Sequence, residues 1–264
     1  MSAGTYLLSR RNLRDLIIAL SLGSAPFFGT GIARTCIALG MLGLGCFIHF
    51  VSKGTLIRNI VLCKEGIYRV MRHPYYFANF LIDWSFCQLS GNLFLVLLYP
   101  FLFFYSYGPA LRKEEQLLFV RHGGSFIKNS LETPQVFPDT GSLGGIKTIF
   151  KEFSARRITA REYSRITKLC GTGLLLVLIN KIQAAGVVTV FSQILFPTIG
   201  DFDEFLLALF VVVFYFVSSI FLLVSNQSRH FPVSCPSAIR PLHDRTPPDR
   251  TSRVATYRNA EKGE

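Results

Sequence analysis

The chain has 264 residues, half of them apolar and 14% aromatic, with only 17% charged and a positive mean hydropathy. That composition excludes an ordinary soluble domain of this length. The formal net charge of +12 raises the question of a nucleic-acid partner, which the placement of the charges answers below.

The opening "SRRNLRD" has the look of a twin-arginine signal, but no small-residue cleavage pattern follows and further apolar runs come after it. It is expected to anchor a first helix. Uncharged runs over residues 16–33 and 35–52, separated by Arg34, are each about one membrane crossing long. They predict a transmembrane hairpin within residues 1–52. From residue 74 to 111 only Asp83 is charged, and "LSGN" at 89–92 offers a turn, so two shorter helices form a second hairpin. This hairpin belongs to a core over 53–140 that closes at "SLETPQVFPDTGSLGG".

Beyond it, residues 141–168 are basic, and Ile146, Ile149, Phe150 and Phe153 recur three or four apart. Two readings stand open: an amphipathic helix on the inner leaflet, or a solvated linker. Candidate spans near 169–190 and 205–224 predict a final helix pair within 169–226, and the Pro-, Arg- and Ser-rich tail over 227–264 reads as disordered. The predicted fold class is therefore all-α, a multi-pass membrane bundle of about six transmembrane helices.

With both termini cytoplasmic, six helices put 26 of the 28 Lys and Arg residues on one side, leaving out Arg34 and Lys181. That asymmetry belongs to loops beside anionic lipid, which becomes the expected partner in place of nucleic acid. Cys36, Cys46, Cys87 and Cys170 lie in or beside apolar runs without CxxC spacing and read as small buried hydrophobes. No metal site is expected. Asp83, alone in its span, either lines a substrate tunnel or bonds a neighbouring helix, with Trp84 or Asn79 as partners; Lys181 is expected to snorkel outward.

The chemistry concentrates in "KEGIYRVMRHPYYFANFLIDW" and "LRKEEQLLFVRHGGSF". Pro74 is suited to the first turn of a helix, which sets Arg72 and His73 just outside the apolar run. A hairpin returns Glu114 and Glu115 to the same side of the membrane. Two carboxylates and a His/Arg/Tyr group thus converge at the lipid boundary, where a charged small molecule can act on an apolar one. Read alone, the first cluster is compatible with an interfacial anchor and the Glu pair with a charged face that caps a helix along the inner surface.

Taken together, "GIYRVMRHPYYFANF", the Gly-Asn turn, "RKEEQLLFVRHGGSF" and "ETPQVFP" resemble the isoprenylcysteine carboxyl methyltransferase family and its phospholipid methyltransferase relatives. The resemblance covers roughly residues 43–138. It implies a helical bundle in which S-adenosylmethionine enters from the cytoplasm and an apolar acceptor arrives through the lipid. His73, Pro74 and Tyr76 match the cofactor-binding RHPxY positions, Glu115 and Glu114 match the acidic pair, and Gly43 and Gly45 match a glycine pair near the cofactor. Ala78 stands where the family has glycine, Leu93 where its turn has proline, and Phe126 and Asn129 where it has two tyrosines.

The chemistry agrees with these residue types. A cationic sulfonium suits Glu115 as its holder, with Tyr76 or His73 on the adenosine or the methionine carboxylate. Arg72 or Arg121 can aim a carboxylate acceptor, whereas an amine acceptor needs Glu114 as base. Carboxyl O-methylation of isoprenylcysteine or a related lipid acid is expected first, in a bacterial inner membrane or an endomembrane. Phospholipid N-methylation, a sterol-type reductase using a nicotinamide phosphate, and a non-catalytic relative of the fold stay open.

Overall fold

The computed structural model describes residues 10–56, 63–195, 197 and 202–230. The side chains of 11, 143, 145, 146, 202 and 227–230 fall outside this description, as does the predicted disordered tail beyond 230. The chain divides into two units, Met1–Gln227 and Ser228–Glu264, and nearly all described residues belong to the first.

Eight α-helices carry the fold among the described residues, which contain no strand. They are α1 (Arg10–Ser24), α2 (Ile32–Thr55), α3 (Pro74–Leu89), α4 (Leu93–His122), α5 (Gly124–Glu132), α6 (Ala160–Ala185), α7 (Val187–Leu195) and α8 (Phe202–His230). Four of them, α2, α4, α6 and α8, are long and apolar enough to cross a membrane. About six spans were expected, but α1 and α3 have only 15 and 16 residues. The first apolar run is broken by Pro26, Gly29 and Gly31, so the turn falls at 25–31 and Arg34 enters the first turn of α2. There Arg34 Nε donates to Gln88 Oε1 at 2.9 Å and Nη1 to the Gly91 carbonyl at 3.2 Å.

The "LSGN" turn forms where expected. Gly91 has φ +73, and a Cβ there would meet the Phe28 carbonyl oxygen at 2.2 Å. Asn92 caps α4 by accepting from the Phe94 and Leu95 amides at 3.0 and 3.4 Å. From this cap α4 runs unbroken for 30 residues through Pro100 and Pro109, carrying its polar end well past the apolar stretch. Prolines interrupt such a helix less than they would in water, since surrounding helices re-satisfy the freed groups.

Helix α3 is the axis of the bundle, buried on nearly every side between α2, α4, α1 and α6. Small residues bring its neighbours close, as hydrophobic burial does little to associate helices in lipid. A Cβ on Gly45 would meet Ile82 at 2.7 Å, and one on Gly173 would meet Leu42 at 2.3 Å. Only 6% of the most apolar window of α8 is buried, so this helix presents Leu, Val and Phe outward.

The basic segment divides: it is not α-helical over 142–157, and from Ala160 onward it belongs to α6. Residues 142–157 form two short 3₁₀ turns, and Glu152 adopts φ +63, which ends any helical period. Phe153 packs under Gly54 and against Phe50. Helix α6 then begins at Ala160, inside the predicted linker, and Gly186 at φ +89 separates it from α7.

Asp83 and Lys181, the two charges that the sequence places within expected spans, are both paired. Asp83 is fully buried and accepts from Arg14 Nε at 2.7 Å, while Arg14 Nη2 reaches Asn79 Oδ1 at 2.8 Å and Tyr99 donates to Asp83 at 3.4 Å. The bonded-neighbour reading of Asp83 therefore holds, with α1 as the partner helix. Trp84 donates instead to the Val96 carbonyl at 3.2 Å. Lys181 meets Glu204 of α8 at 2.5 Å rather than standing alone. Of the four cysteines read as small hydrophobes, Cys46 and Cys87 are buried, Cys170 is partly so with its sulfur 3.8 Å from Cys46, and Cys36 is exposed.

Candidate functional site

Pro74 is the first residue of α3 and His73 its N-cap, with no side-chain cap of its own. The two residues before the helix are held by backbone pairing: the Arg72 amide donates to the Pro134 carbonyl and the His73 amide to the Gln135 carbonyl, both at 2.9 Å. Arg72 Nε adds a bond to the Thr133 carbonyl at 3.1 Å. The segment "ETPQVFP" thus fixes the Arg-His pair, and its Phe137 ring anchors against Phe77, Phe80 and Phe104.

The polar end of α4 meets this pair from the other side. Arg72 Nη1 lies 2.5 Å from Glu115 Oε1. His73 sits between the two carboxylates, with Nδ1 3.7 Å from Glu114 Oε2 and Nε2 3.4 Å from Glu115 Oε1. At these distances the ring lies close to both carboxylates without hydrogen-bond geometry, and buried Nε2 has no hydrogen-bond partner among the described residues. Arg10 donates to the Tyr76 hydroxyl and lies 3.7 Å from Glu114. The Tyr76 ring packs edge-on against Tyr107 at 5.5 Å and against His73 at 5.7 Å.

These side chains border a cavity of about 480 Å³. Arg72, His73, Pro74, Tyr76, Glu114 and Arg121 all line it. The convergence expected from the two sequence clusters is therefore present. Glu115 does not line the cavity; it braces Arg72 from behind. Gly43 and Gly45 are also absent from its wall: Gly45 is a helix-packing position against Ile82, and Gly43 has open space around it. Phe126 and Asn129 are buried on α5, where the Arg72 guanidinium stands 5.7 Å over the Phe126 ring.

The sequence reading missed Arg10, Lys53, Tyr68 and Tyr75, which also line the cavity. Tyr75 adjoined the motif and was the one with a signal; Arg10 and Lys53 looked like any basic residue at a helix end. A further network went unseen. Glu162 of α6 meets His49 Nε2 at 3.2 Å, Lys53 at 3.1 Å and Arg165 at 3.2 Å, and Arg165 donates to the Tyr75 hydroxyl at 3.0 Å. This network ties α6 to the floor of the site, with Lys53 4.2 Å above the Tyr75 ring.

Residues 21–105 match the family described as "Protein of unknown function (DUF1295)". The match covers less than half of the chain and takes in Arg72 to Tyr76, but stops before the Glu114–Glu115 pair. Curated proteins and solved structures return no match. The matching family carries no stated activity, so it neither names nor excludes a carboxyl methyltransferase.

Proposed function

We propose that the chain is an integral-membrane methyltransferase that uses S-adenosylmethionine on a lipid-embedded acceptor, with its site at the cytoplasmic face. The observation that carries this reading is the joining of RHPxY and Glu114 in one cavity from opposite ends of the α3–α4 hairpin. The cofactor fits the residues present. It has a cationic end for Glu114, a carboxylate for Arg72 or Arg121, and an aromatic base for the His73 and Tyr76 rings that line the cavity. When bound, it supplies an electrophilic methyl group: its carbon–sulfur bond breaks as a carbon–oxygen bond forms, and the sulfonium becomes a neutral thioether.

The chain's own task is to orient the partners and exclude water. Glu114 faces the cavity and holds positive charge, the role first expected of Glu115. Glu115 positions Arg72, whose other bonds go to the 133–135 segment. A carboxylate acceptor attacks without losing a proton, aimed by Arg121. An ammonium acceptor needs a base, and Glu114 is the one carboxylate among the cavity's described lining residues. With Glu114 committed to the cofactor, an acid acceptor is favoured over an aminophospholipid, in agreement with the resemblance to isoprenylcysteine enzymes.

Titration calorimetry on detergent-purified protein tests the reading. Micromolar S-adenosylmethionine binding that weakens at least about tenfold in Glu114→Gln, roughly the loss of one charge-assisted bond, supports it; unchanged affinity in both Glu114→Gln and His73→Ala removes it. A transferred methyl label released by mild base identifies an ester, and a base-stable label an amine.

A second reading rests on the other charges of the same cavity. Arg10, Lys53, Arg72 and Arg121 outnumber Glu114 there, which suits the phosphates of a nicotinamide cofactor and a sterol-type reductase. Direct competition between the two cofactors separates the readings: displacement of one by the other at micromolar concentration identifies which the site takes.

A further inference from the structure

Glu162 lies outside both stretches that mark the site in the sequence, since it follows the family match over 21–105 and the resemblance over 43–138. Helix α6 brings it to α2 along one seam. Leu42 lies against Gly173, Cys46 meets Cys170, and His49 and Lys53 meet Glu162, so numbers rise on α2 as they fall on α6 and the two helices run antiparallel. Residues 42, 46, 49 and 53 recur at steps of three and four, which places them on one face of α2. Of these four, Lys53 alone lines the cavity that holds His73 and Glu114.

The charges at this end of the seam do not balance. The Glu162 carboxylate takes Lys53 at 3.1 Å on one oxygen, and Arg165 and His49, both at 3.2 Å, on the other. One carboxylate thus faces two full cations. The Arg165 side chain is 40% exposed, so water screens it, but Lys53 is only 13% exposed and Glu162 12%. A cation so enclosed is costly unless its donors find partners. Lys53 has three N–H donors, and Glu162 is its one ion-pair partner among the described residues. The capacity that remains is available to the cavity it lines.

The same carboxylate fixes where that capacity points. A lysine has a long flexible stem and a point charge, so its position is set by what holds it. Here Glu162 holds the ammonium 4.2 Å above the Tyr75 ring. The ring is itself fixed by Arg165, which donates to its hydroxyl at 3.0 Å and pairs with Glu162, and by the His49 ring edge-on at 4.8 Å. Two groups of the cavity wall, Lys53 and Tyr75, therefore take their places from α6.

We propose that Glu162 is a positioning residue of this cavity and that Lys53, which it aims, binds the anionic group of the ligand. The proposal rests on the reading that the cavity takes a cofactor. The anionic group is the carboxylate of S-adenosylmethionine or, in the second reading, a phosphate of a nicotinamide cofactor. Helix α6 then completes the site as well as adding a span.

Titration calorimetry with S-adenosylmethionine and with NADPH, on full-length protein in detergent, tests this as a double-mutant cycle. Whichever cofactor the native protein takes should bind about tenfold more weakly in Lys53→Met, the loss of roughly one charge-assisted contact, and Lys53→Arg should recover most of that affinity. Glu162→Gln should weaken binding about threefold or more, yet add no further loss in the Lys53→Met background. Unchanged affinity in Lys53→Met overturns Lys53 as a binder. Unchanged affinity in Glu162→Gln, or a loss as large in the Lys53→Met background as in the native one, overturns the positioning role: a glutamate that only ties α6 to α2 lowers the thermal midpoint without acting through Lys53.

Acetylation of Lys53 by acetic anhydride, followed by mass spectrometry, supplies a readout that needs no ligand. Freed from its carboxylate in Glu162→Gln, the amine should react about threefold faster, the scale of one partly exposed ion pair. Equal rates in the two proteins overturn the positioning role whatever happens to affinity. If the native protein binds neither cofactor, the cofactor readings and the ligand assigned to Lys53 fall together, and the acetylation rates alone decide whether Glu162 holds Lys53 in place.

Discussion

Helix α3 carries two polar clusters, one around Asp83 in its middle and one around His73 at its start, and they differ in how completely the protein itself satisfies them. Asp83 has no exposure, Arg14 of α1 and Tyr99 of α4 donate to it, and Asn79 accepts the other end of the Arg14 guanidinium. At His73 the accounting stays open: Nε2 lacks a hydrogen-bond partner, and Glu114, with its side chain 46% exposed, borders a cavity. A closed cluster holds helices together; an open one leaves charge and bonding capacity for something that arrives. Both draw on the same residue types, so composition alone does not tell them apart.

Substitutions can break or sharpen that contrast. The largest expected effect is at the closed cluster: Asp83→Ala leaves Arg14 buried without its counter-charge and should cost about 3–5 kcal/mol in unfolding measured in detergent. Replacing both partners, Arg14→Met with Asp83→Leu, should recover most of that loss; if it does not, the pair does more than compensate its own burial. Next comes the turn that aligns the hairpin. Gly91→Ala forces a Cβ onto the Phe28 carbonyl at a positive φ and should cost about 1–3 kcal/mol, read from the thermal midpoint.

At the open cluster the balance between stability and binding should invert. Glu115→Gln loosens Arg72 and is expected to cost about 1 kcal/mol, with a smaller loss of cofactor affinity than Glu114→Gln shows. Glu114→Gln should leave stability within about 0.5 kcal/mol of native. A large destabilisation there would mean that Glu114 is structural and that the two clusters are alike. The smallest effect is expected at Lys181→Ala, whose partly exposed pair with Glu204 contributes roughly 0–1 kcal/mol.

Much of this contrast was legible in advance, but unevenly. Pro74 announced the start of α3 through its fixed φ and missing donor, and "LSGN" announced the turn through the positive φ that only Gly91 adopts easily. The approach of Glu114 to His73 followed from the hairpin between them. Which of the two glutamates faces the cavity did not follow, because adjacent residues on a helix point about 100° apart and the rotation of α4 is set by packing. Run length misled at residues 16–33, where Pro26 and two glycines break an uncharged stretch; at 146–153, where the sequence left helix and linker open, the positive φ of Glu152 ends the helical period.

The sequence by itself determined the all-helical character, the long apolar helices, the turn positions and the two chemical clusters, since hydropathy, proline and glycine act locally. Tertiary structure decided the rest. Arg14 with Asp83, Glu162 with His49 and Lys53, and Arg72 and His73 with the 133–135 carbonyls all depend on which face each helix turns toward its neighbours. That orientation is settled by close packing at Gly45 and Gly173 and by the need to satisfy buried charge, which act between residues far apart in the chain.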